Sequence, residues 1–279
     1  MPNFGYHLAR LKGNMLRRLY RALLPVIAHR RVDAPRSIEL DVFAYSGENA
    51  LPEQIASIHS FLRHVGRPKS FAIVSDGSHS DRSIQLLEHV DPIVSVQLSI
   101  QPPPDELPER FRRYLTFHPT GKQLALIMSL PENGPALYVD SDVLFFDAAA
   151  DLVARAAEKN VSAYYLADCQ FSGDARLLRD AQEQKEPVNT GILLLFKKLD
   201  WSLSINRFLE LEGEPKFFSN QTLTHLTMHL NSARPFDPTK YVLQLDDQFV
   251  YGDRYAGAAL ALRHYVNPVR HKFWTSLRH

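Results

Sequence analysis

The sequence predicts one α/β domain with a mostly parallel central sheet, helices on both faces of the sheet, and a basic amphipathic helix at the N-terminus. Short apolar runs alternate with amphipathic stretches over residues 38–98, the pattern of β-α-β units whose strands pair in parallel. The 279 residues, 45% hydrophobic and 23% charged, suit one large globular domain. The first 31 residues contain seven Lys or Arg and no Asp or Glu.

Residues 1–36 are expected to form the basic amphipathic helix and a linker that contains Pro35. Such a helix can lie on an anionic membrane surface, dock on a partner or pack on its own domain, and the sequence leaves these alternatives open. A peripheral membrane contact would therefore use residues 1–31, and the main domain is expected over residues 37–279. The helix is indicated by apolar residues at near-helical spacing, namely Leu8, Leu11, Met15, Leu16, Leu19, Leu23 and Leu24.

Composition narrows the class of protein further. A formal net charge of +1 gives no reason to expect a nucleic acid partner. Cys169 is the only cysteine, which excludes an intramolecular disulfide and fits a reducing compartment. No uninterrupted apolar stretch is long enough to span a bilayer. A cytoplasmic protein is expected, with a possible peripheral position at the inner face of the membrane.

Periodicity and turn residues predict the remaining elements. Expected strands cover residues 38–45, 71–75, 93–98, 136–139, 161–167, 188–196 and 241–245, and a second apolar run follows the acids at 143–146. Expected helices cover residues 52–65, 80–89, 121–130, 148–159, 202–211 and 220–231. The polar segments 100–118 and 172–186 are expected to be loops, the second one a mobile loop or short helix over the site.

Two carboxylates inside the stretch Ala136–Phe146 are the strongest functional signal. Asp140 and Asp142 follow a short apolar run, and open α/β sheets bind their ligands at the C-terminal ends of strands. Because an unpaired buried carboxylate is very costly, these acids need a cation. Two hard oxygen ligands suit Mg²⁺ or Mn²⁺, whose open coordination positions suit phosphate oxygens.

The same residues also fit the opening motif of haloacid-dehalogenase-type phosphatases. In that interpretation Asp140 is the nucleophile, Asp142 the acid/base, and Asp246-Asp247 the late acidic pair. That fold normally begins with the motif, whereas a long β/α region precedes Asp140 here. The phosphatase interpretation also leaves the later motifs of the chain unexplained.

Three separated signals occur in a fixed order along the chain. They are the strand followed by Asp140–Asp142, the segment Asn189–Gly191 before an apolar strand, and His264 ahead of basic residues and a Trp. This order resembles the metal-dependent GT-A glycosyltransferases, which are Rossmann-like, and especially the retaining family 8 type of glycogenin and bacterial lipopolysaccharide galactosyltransferases. The resemblance covers roughly residues 38–274.

The resemblance implies transfer of a sugar from a nucleotide-sugar, a UDP-sugar in particular, to an acceptor hydroxyl with retention of stereochemistry. It makes Asp140, Asp142 and His264 the ligands of Mn²⁺ or Mg²⁺. Gln221 would lie behind the anomeric carbon, and Asp168 is the other acid considered at the sugar. The donor-binding residues that it implies are Tyr45, Asp76, Lys122, Asp140, Ser141, Asn189, Thr190, Gly191, Asn220, Arg270 and Lys272.

The sequence departs from the family pattern at two places. The family tail reads His-x-x-Gly-x-x-Lys-Pro-Trp, and here Asn267 replaces the Gly, so either Arg270 or Lys272 can be the cation at the diphosphate. Asn220 stands where the family often has Asp, which leaves a non-catalytic nucleotide-sugar binder as an alternative. The acceptor, a glycan, lipid-linked or protein molecule, is expected to bind between segments 100–118 and 172–186.

Overall fold

The computed structural model describes residues 3–278, and the elements below are those of that part of the chain. Its strands are β1 (Asp41–Ser46), β2 (Ser70–Ser75), β3 (Val94–Gln97), β4 (Ala136–Val139), β5 (Val143–Phe145), β6 (Ala163–Ala167), β7 (Val188–Leu195), β8 (Arg234–Pro235), β9 (Tyr241–Val242) and β10 (Leu262–His264). Its α-helices are α1 (Phe4–Ile27), α2 (Leu51–His64), α3 (Asp81–Val90), α4 (Glu109–Phe117), α5 (Pro119–Ser129), α6 (Asp151–Ala156), α7 (Ser202–Leu209), α8 (Ser219–Leu230) and α9 (Arg270–Ser276).

Seven strands form the central sheet in the order β3-β2-β1-β4-β7-β6-β8. The first four are mutually parallel, because α2 and α3 cross over between β1, β2 and β3 as β-α-β units. Strand β7 runs antiparallel to both of its neighbours, and β8 pairs in parallel with β6 at the edge. The predicted α/β class with a mostly parallel sheet is confirmed.

Each side of this sheet is covered by helices, as predicted. Successive side chains of a strand point to opposite faces, so Val42 and Ala44 of β1 enter one core while Phe43 enters the other. The first core includes Phe61 of α2, and the second includes Leu124 of α5. Two apolar layers therefore enclose the sheet, and the polar residues at the strand ends are left to form a site.

A second, smaller sheet, which the sequence did not predict, has the order β5-β10-β9. The chain breaks after β4, which ends at Val139 and places the acids at its C-terminal end as predicted; the segment Asp140–Asp142 turns, and β5 leaves the central sheet to pair with β10. The turn is held by hydrogen bonds from the Asp140 N–H to the Gly191 carbonyl (2.8 Å) and from the Tyr265 N–H to the Asp142 carbonyl (2.9 Å). The break places the two acids between the two sheets.

Segment 100–118 is only partly the loop that the sequence predicted. It contains α4, which buries Phe111, Tyr114 and Leu115 on one face at the i, i+3, i+4 spacing of an amphipathic helix. The prolines that precede α4 indicate a loop and conceal this short periodic run. No helix among residues 3–278 is long and apolar enough to cross a membrane.

A half-buried histidine in α2, His59, makes the stability of the fold depend on pH. Burial, assisted by the positive charges of Arg63 and Arg30, lowers the pKa of His59 from 6.5 to about 4. The unfolded chain therefore binds a proton at this residue at a higher pH than the folded chain does. The stability that the neutral ring contributes is complete above pH 6.5 and is lost as the pH falls from 6.5 towards 4.

We expect His59→Leu to remove up to about 3 kcal/mol of the fall in unfolding free energy between neutral and mildly acid pH. Urea unfolding across that pH range measures the effect. His29→Leu, at an exposed position, is the control for the replacement of one histidine by leucine. The same pH slope in His59→Leu and in the wild type would contradict the assignment.

Candidate metal and ligand site

Pairing of β5 with β10 brings His264 close to Asp140 and Asp142. His264 pairs with Val143 across the small sheet, so its side chain lies beside Asp142. The His264 Nε2 lies 3.0 Å from Asp142 Oδ1 and 3.7 Å from Asp140 Oδ2. One ligand atom from each of the three residues lies within 4.8 Å of the other two. The three side chains named as metal ligands from the sequence therefore converge.

A chain of hydrogen bonds orients the His264 ring. The Asn189 Nδ2 donates to Asp168 Oδ2 (3.3 Å), which turns the Asn189 Oδ1 towards the Gly191 N–H (2.8 Å) and the His264 Nδ1 (2.9 Å). Because this oxygen can only accept, the His264 Nδ1 carries the hydrogen that it receives. In the neutral form that binds a metal, the ring keeps this hydrogen on Nδ1 and has its lone pair on Nε2, on the side of the two carboxylates.

Gly191 is required by its contact with the same ring. A Cβ at this position would lie 2.3 Å from His264 Nδ1 and 2.8 Å from Asn189 Oδ1, which is closer than such atoms approach. Sequence analysis assigned the close approach at Gly191 to a donor sugar. The close neighbour in the structure is the imidazole, so a side chain at position 191 would displace His264.

Asp140 is held by two residues, Tyr138 and Gln123, that were not assigned to the site from the sequence. Its Oδ1 accepts from the Tyr138 hydroxyl (2.7 Å) and from Gln123 Nε2 (3.1 Å), and Gln123 Oε1 accepts from Asn220 Nδ2 (2.8 Å). Sequence analysis named Lys122 instead, which does not line the cavity. Neighbouring residues of a helix point about 100° apart, so α5 can present only one of these two side chains to the acids.

Burial and charge together set the protonation of the three converging groups. Burial raises the pKa of Asp140 to about 6, although the charge of His264 opposes this shift. Burial acts in the same way on Asp142, but the positive charges of His264 and Arg270 outweigh it and lower the pKa of Asp142. Burial would lower the pKa of His264, whereas the Asp142 carboxylate raises it above its ordinary value. The positive charges of His264 and Arg270 thus compensate the negative charge of the buried carboxylates.

The sequence left either Arg270 or Lys272 of α9 as the cation at the diphosphate, and the two side chains lie in different places in the structure. The guanidinium of Arg270 contacts Asp142 Oδ2 and borders the cavity. The amine of Lys272 is buried elsewhere, where it donates to the Val250 carbonyl (2.8 Å) and lies 3.5 Å from Asp247 Oδ2. The structure therefore leaves Arg270 at the site and places Lys272 outside it.

The converging groups line a cavity of about 620 Å³, within the size range of small-molecule sites. Tyr45 and Asp76 do not line it; they lie at the C-terminal ends of adjacent strands, where Asp76 accepts from the Ser78 hydroxyl (2.6 Å). The predicted residues that do line the cavity are Asp140, Ser141, Asp142, Asp168, Asn189, Thr190, Asn220, Gln221, His264 and Arg270.

Sequence analysis missed the apolar part of the cavity wall. The rings of Phe217 and Phe218 lie edge to face at 5.0 Å, and both are at least half exposed. The two consecutive aromatic residues just before α8 were the available signal. Of the expected acceptor segments, 172–186 reaches this cavity through Ser172, whereas residues of 100–118 border a separate cavity of about 640 Å³.

The late acidic pair required by the phosphatase interpretation lies apart from Asp140. Asp247 is fully buried and bound by both terminal nitrogens of Arg263 (2.7 and 3.0 Å). Asp246 accepts from the Tyr255 hydroxyl (2.7 Å) at the surface. Neither carboxylate borders the cavity that contains Asp140.

Two carboxylates and one imidazole form a donor set that suits a divalent cation. Carboxylate oxygens favour Mg²⁺ and Mn²⁺, and of these two ions an imidazole ligand favours Mn²⁺. His264 is buried and oriented by a hydrogen bond, and one ligand atom of each residue lies within 4.8 Å of the other two. Binding of such an ion requires this proximity and orientation of its ligands. Residues of the chain thus fit the metal that the sequence suggested.

We expect Asn189→Leu to weaken Mn²⁺ binding about 10- to 100-fold, because the His264 ring loses the acceptor that orients it. Titration of free Mn²⁺ by electron paramagnetic resonance measures this effect. Asn49→Leu, at an exposed position outside the cavity, is the matched control. Equal Mn²⁺ affinity in Asn189→Leu and wild type would show that Asn189 does not position the ring.

Solved glycosyltransferases are similar to this chain in structure. Galactosyltransferase LgtC, in complex with donor and acceptor sugar analogs, has a TM-score of 0.56 and 13% identity over 85% of this chain and 94% of LgtC. Mouse xyloside xylosyltransferase 1 has a TM-score of 0.52 and 12% identity, with 84% of this chain and 99% of that chain covered. GlyE of Streptococcus pneumoniae TIGR4 has a TM-score of 0.52 and 12% identity, with 87% and 60% covered.

At these identities the likeness establishes the fold, which is the GT-A fold predicted from the sequence. No protein-family model and no curated protein matches the chain in sequence.

Proposed function

We propose that this protein is a metal-dependent glycosyltransferase that moves a sugar from a nucleotide-sugar, a UDP-sugar in particular, to an acceptor hydroxyl. The observation that carries the proposal is the convergence of Asp140, Asp142 and His264 beside Arg270 in a cavity at the end of β4. The GT-A fold, shared with the galactosyltransferase and the xylosyltransferase described above, supports it.

The three converging ligands would hold Mn²⁺ or Mg²⁺, and the bound ion would supply electrostatic stabilisation to a leaving diphosphate. The imidazole in the ligand set favours Mn²⁺. Arg270, whose side chain is 41% exposed, can present its planar guanidinium to phosphate oxygens from the cavity wall. Groups of this kind are worth about 10²–10³ in rate when they stabilise charge that develops in a transition state.

Gln221 and Asp168 are assigned to the sugar side of the cavity. The Gln221 Nε2 donates to Asp168 Oδ2 (3.0 Å), so the Gln221 carbonyl oxygen is the polar atom left for a substrate. An oxygen at this position stabilises the positive charge that the anomeric carbon acquires as the glycosidic bond breaks. Asp168 holds that amide in place and also anchors Asn189. Transfer with retention of stereochemistry is proposed from the resemblance to the family 8 enzymes.

Ser141, Thr190 and Asn220 complete the polar lining that a donor would contact. The apolar face of a sugar can pack on the exposed rings of Phe217 and Phe218 at the other side of the cavity. The acceptor remains open among glycans, lipid-linked and protein molecules. The single thiol, Cys169, supports a cytoplasmic location.

Thermal unfolding with a panel of nucleotide-sugars, each with and without Mn²⁺, tests donor and metal together, because a ligand of the native state raises its melting temperature. The expected result is stabilisation by one UDP-sugar that requires Mn²⁺, followed by slow release of UDP from it. Stabilisation without any release of UDP, to water or to acceptor sugars, would identify a non-catalytic nucleotide-sugar binder. Release of phosphate from simple phosphomonoesters would point to a phosphatase instead.

A further inference from the structure

Helix α1 is fixed to the domain by one of its faces. The backbone of Gly13 approaches α9 so closely that a Cβ would lie 2.2 Å from the His271 carbonyl oxygen. Arg17 forms a two-point ion pair with the buried Glu53 of α2, with nitrogen–oxygen distances of 2.5 and 3.0 Å. The helix is therefore a rigid part of the structure.

The face of α1 opposite Gly13 is apolar and exposed. At 100° per residue, its six large apolar side chains fall in a stripe about 80° wide that points away from the domain. Each is between 54% and 73% exposed, and no residue in the described part of the chain covers them. With 24 residues, the helix extends the stripe over about 36 Å. We call this stripe the outer face, and it consists of Phe4, Leu8, Leu11, Met15, Leu19 and Val26.

Positive charge flanks the outer face on both sides. At 100° per residue, Arg18 follows one edge of the stripe and Lys12 the other. Residues 1–31 contain seven Lys or Arg without one Asp or Glu, whereas the other residues hold 25 Lys and Arg (32 minus 7) against 31 Asp and Glu, a net charge of −6. The segment that carries the apolar stripe is thus basic in an otherwise acidic chain.

We propose that the outer face of α1 binds the surface of an anionic lipid bilayer, with the helix lying in the plane of the membrane. An apolar stripe with basic flanks meets the two demands of this surface, because the stripe enters the acyl boundary while the flanking cations contact lipid phosphates. A second copy of the chain fits less well. Two paired outer faces would bring Lys12 and Arg18 against like charges, and α1 has no acid to offset them.

Membrane binding would also fix the position of the cavity relative to the bilayer. Helix α1 packs directly on α9, and α9 begins with Arg270, which lines the cavity. The axes of packed helices lie about 8–10 Å apart, so the cavity wall at Arg270 lies one helix away from α1. The inference rests on the exposure and charge of α1, and it holds whichever reaction the cavity performs.

Cosedimentation of the full chain with vesicles tests the proposal. The wild type is expected to bind vesicles of phosphatidylcholine with phosphatidylglycerol and to bind pure phosphatidylcholine vesicles more weakly. The triple variant Leu8→Ser/Leu11→Ser/Met15→Ser should bind both at least about 100-fold more weakly, because it loses the apolar area that enters the membrane. Lys12→Gln/Arg18→Gln should lose about 30-fold on the anionic vesicles only.

Phe117→Ser is the matched control, since Phe117 is 75% exposed on α4 and lies outside the outer face. It should leave vesicle binding unchanged. A fluorophore on Leu11→Cys in a Cys169→Ser background should shift to the blue on anionic vesicles, whereas one on Phe117→Cys should not. No binding of the wild type to anionic vesicles would overturn the proposal. So would a dimer, by sedimentation equilibrium, that the triple variant dissociates, because the outer face would then bind a second copy.

Discussion

Asp142→Ala is expected to abolish Mn²⁺-dependent UDP binding while the chain stays folded. The substitution removes one of three convergent ligands and the carboxylate that Arg270 and His264 both contact. A loss of about 10²–10³ in any metal-dependent turnover should accompany it. The fold should survive, because His264 can release its proton once the buried acid is gone, and Arg270 is partly exposed to solvent.

Calorimetric titration with UDP, with and without Mn²⁺, measures the effect of Asp142→Ala, and thermal unfolding monitors the fold. Asp142→Asn is the informative companion, since it keeps the shape of the side chain but loses the charge that a hard cation requires. Asp246→Ala, at a surface acid outside the cavity, is the control. Unchanged UDP affinity in Asp142→Ala would remove the metal site from the proposal.

Arg263→Met is expected to cost about 3–5 kcal/mol of unfolding free energy, the largest stability effect that we anticipate for one substitution. The guanidinium is fully buried on β10, between the rings of Tyr255 and Tyr265 at 5.0 Å each. It binds Asp247 through both terminal nitrogens and also contacts Asp253. Burial would raise the pKa of Asp247, but the hydrogen bonds from Arg263 hold the pKa of this carboxyl below its ordinary value.

The cost arises because Arg263→Met leaves buried carboxylates without their main partner. Urea unfolding at neutral pH measures it. Arg254→Met is the matched control, because Arg254 pairs with Asp246 at 3.7 Å where both side chains are more than half exposed, so its loss should stay within about 1 kcal/mol. Equal destabilisation by Arg263→Met and Arg254→Met would contradict this account. Since His264 follows Arg263 on β10, the same network supports the candidate metal site.

Local patterns predicted most of the central sheet. Short apolar runs predicted β1, β2 and β3, and the acids after β4 were predicted at the C-terminal end of a strand. The same patterns could not show that Asp140–Asp142 is a turn between two sheets. That depends on the pairing of β5 with β10, which lies more than a hundred residues later in the chain.

The candidate site shows where the direction of a side chain decides the outcome. Arg270 and Lys272 are two residues apart, about 200° around α9, so only one of them can face Asp142. Gln123 reaches Asp140 from α5, whereas its neighbour Lys122 does not line the cavity. The rotation of each helix against the sheet therefore determines which side chain reaches the cavity, and this rotation cannot be read from the position of a basic residue in the sequence.

By itself, the sequence determined the α/β class, the acids at the end of β4 and the basic amphipathic character of α1. These properties follow from the order of apolar and polar residues within a few turns or strands, so they can be derived without distant contacts. Tertiary structure alone decided that His264 meets Asp142, that Arg270 and not Lys272 borders the cavity, and that α1 leaves its outer face uncovered. Each of these depends on contacts between residues far apart in the chain, whose geometry no local pattern encodes.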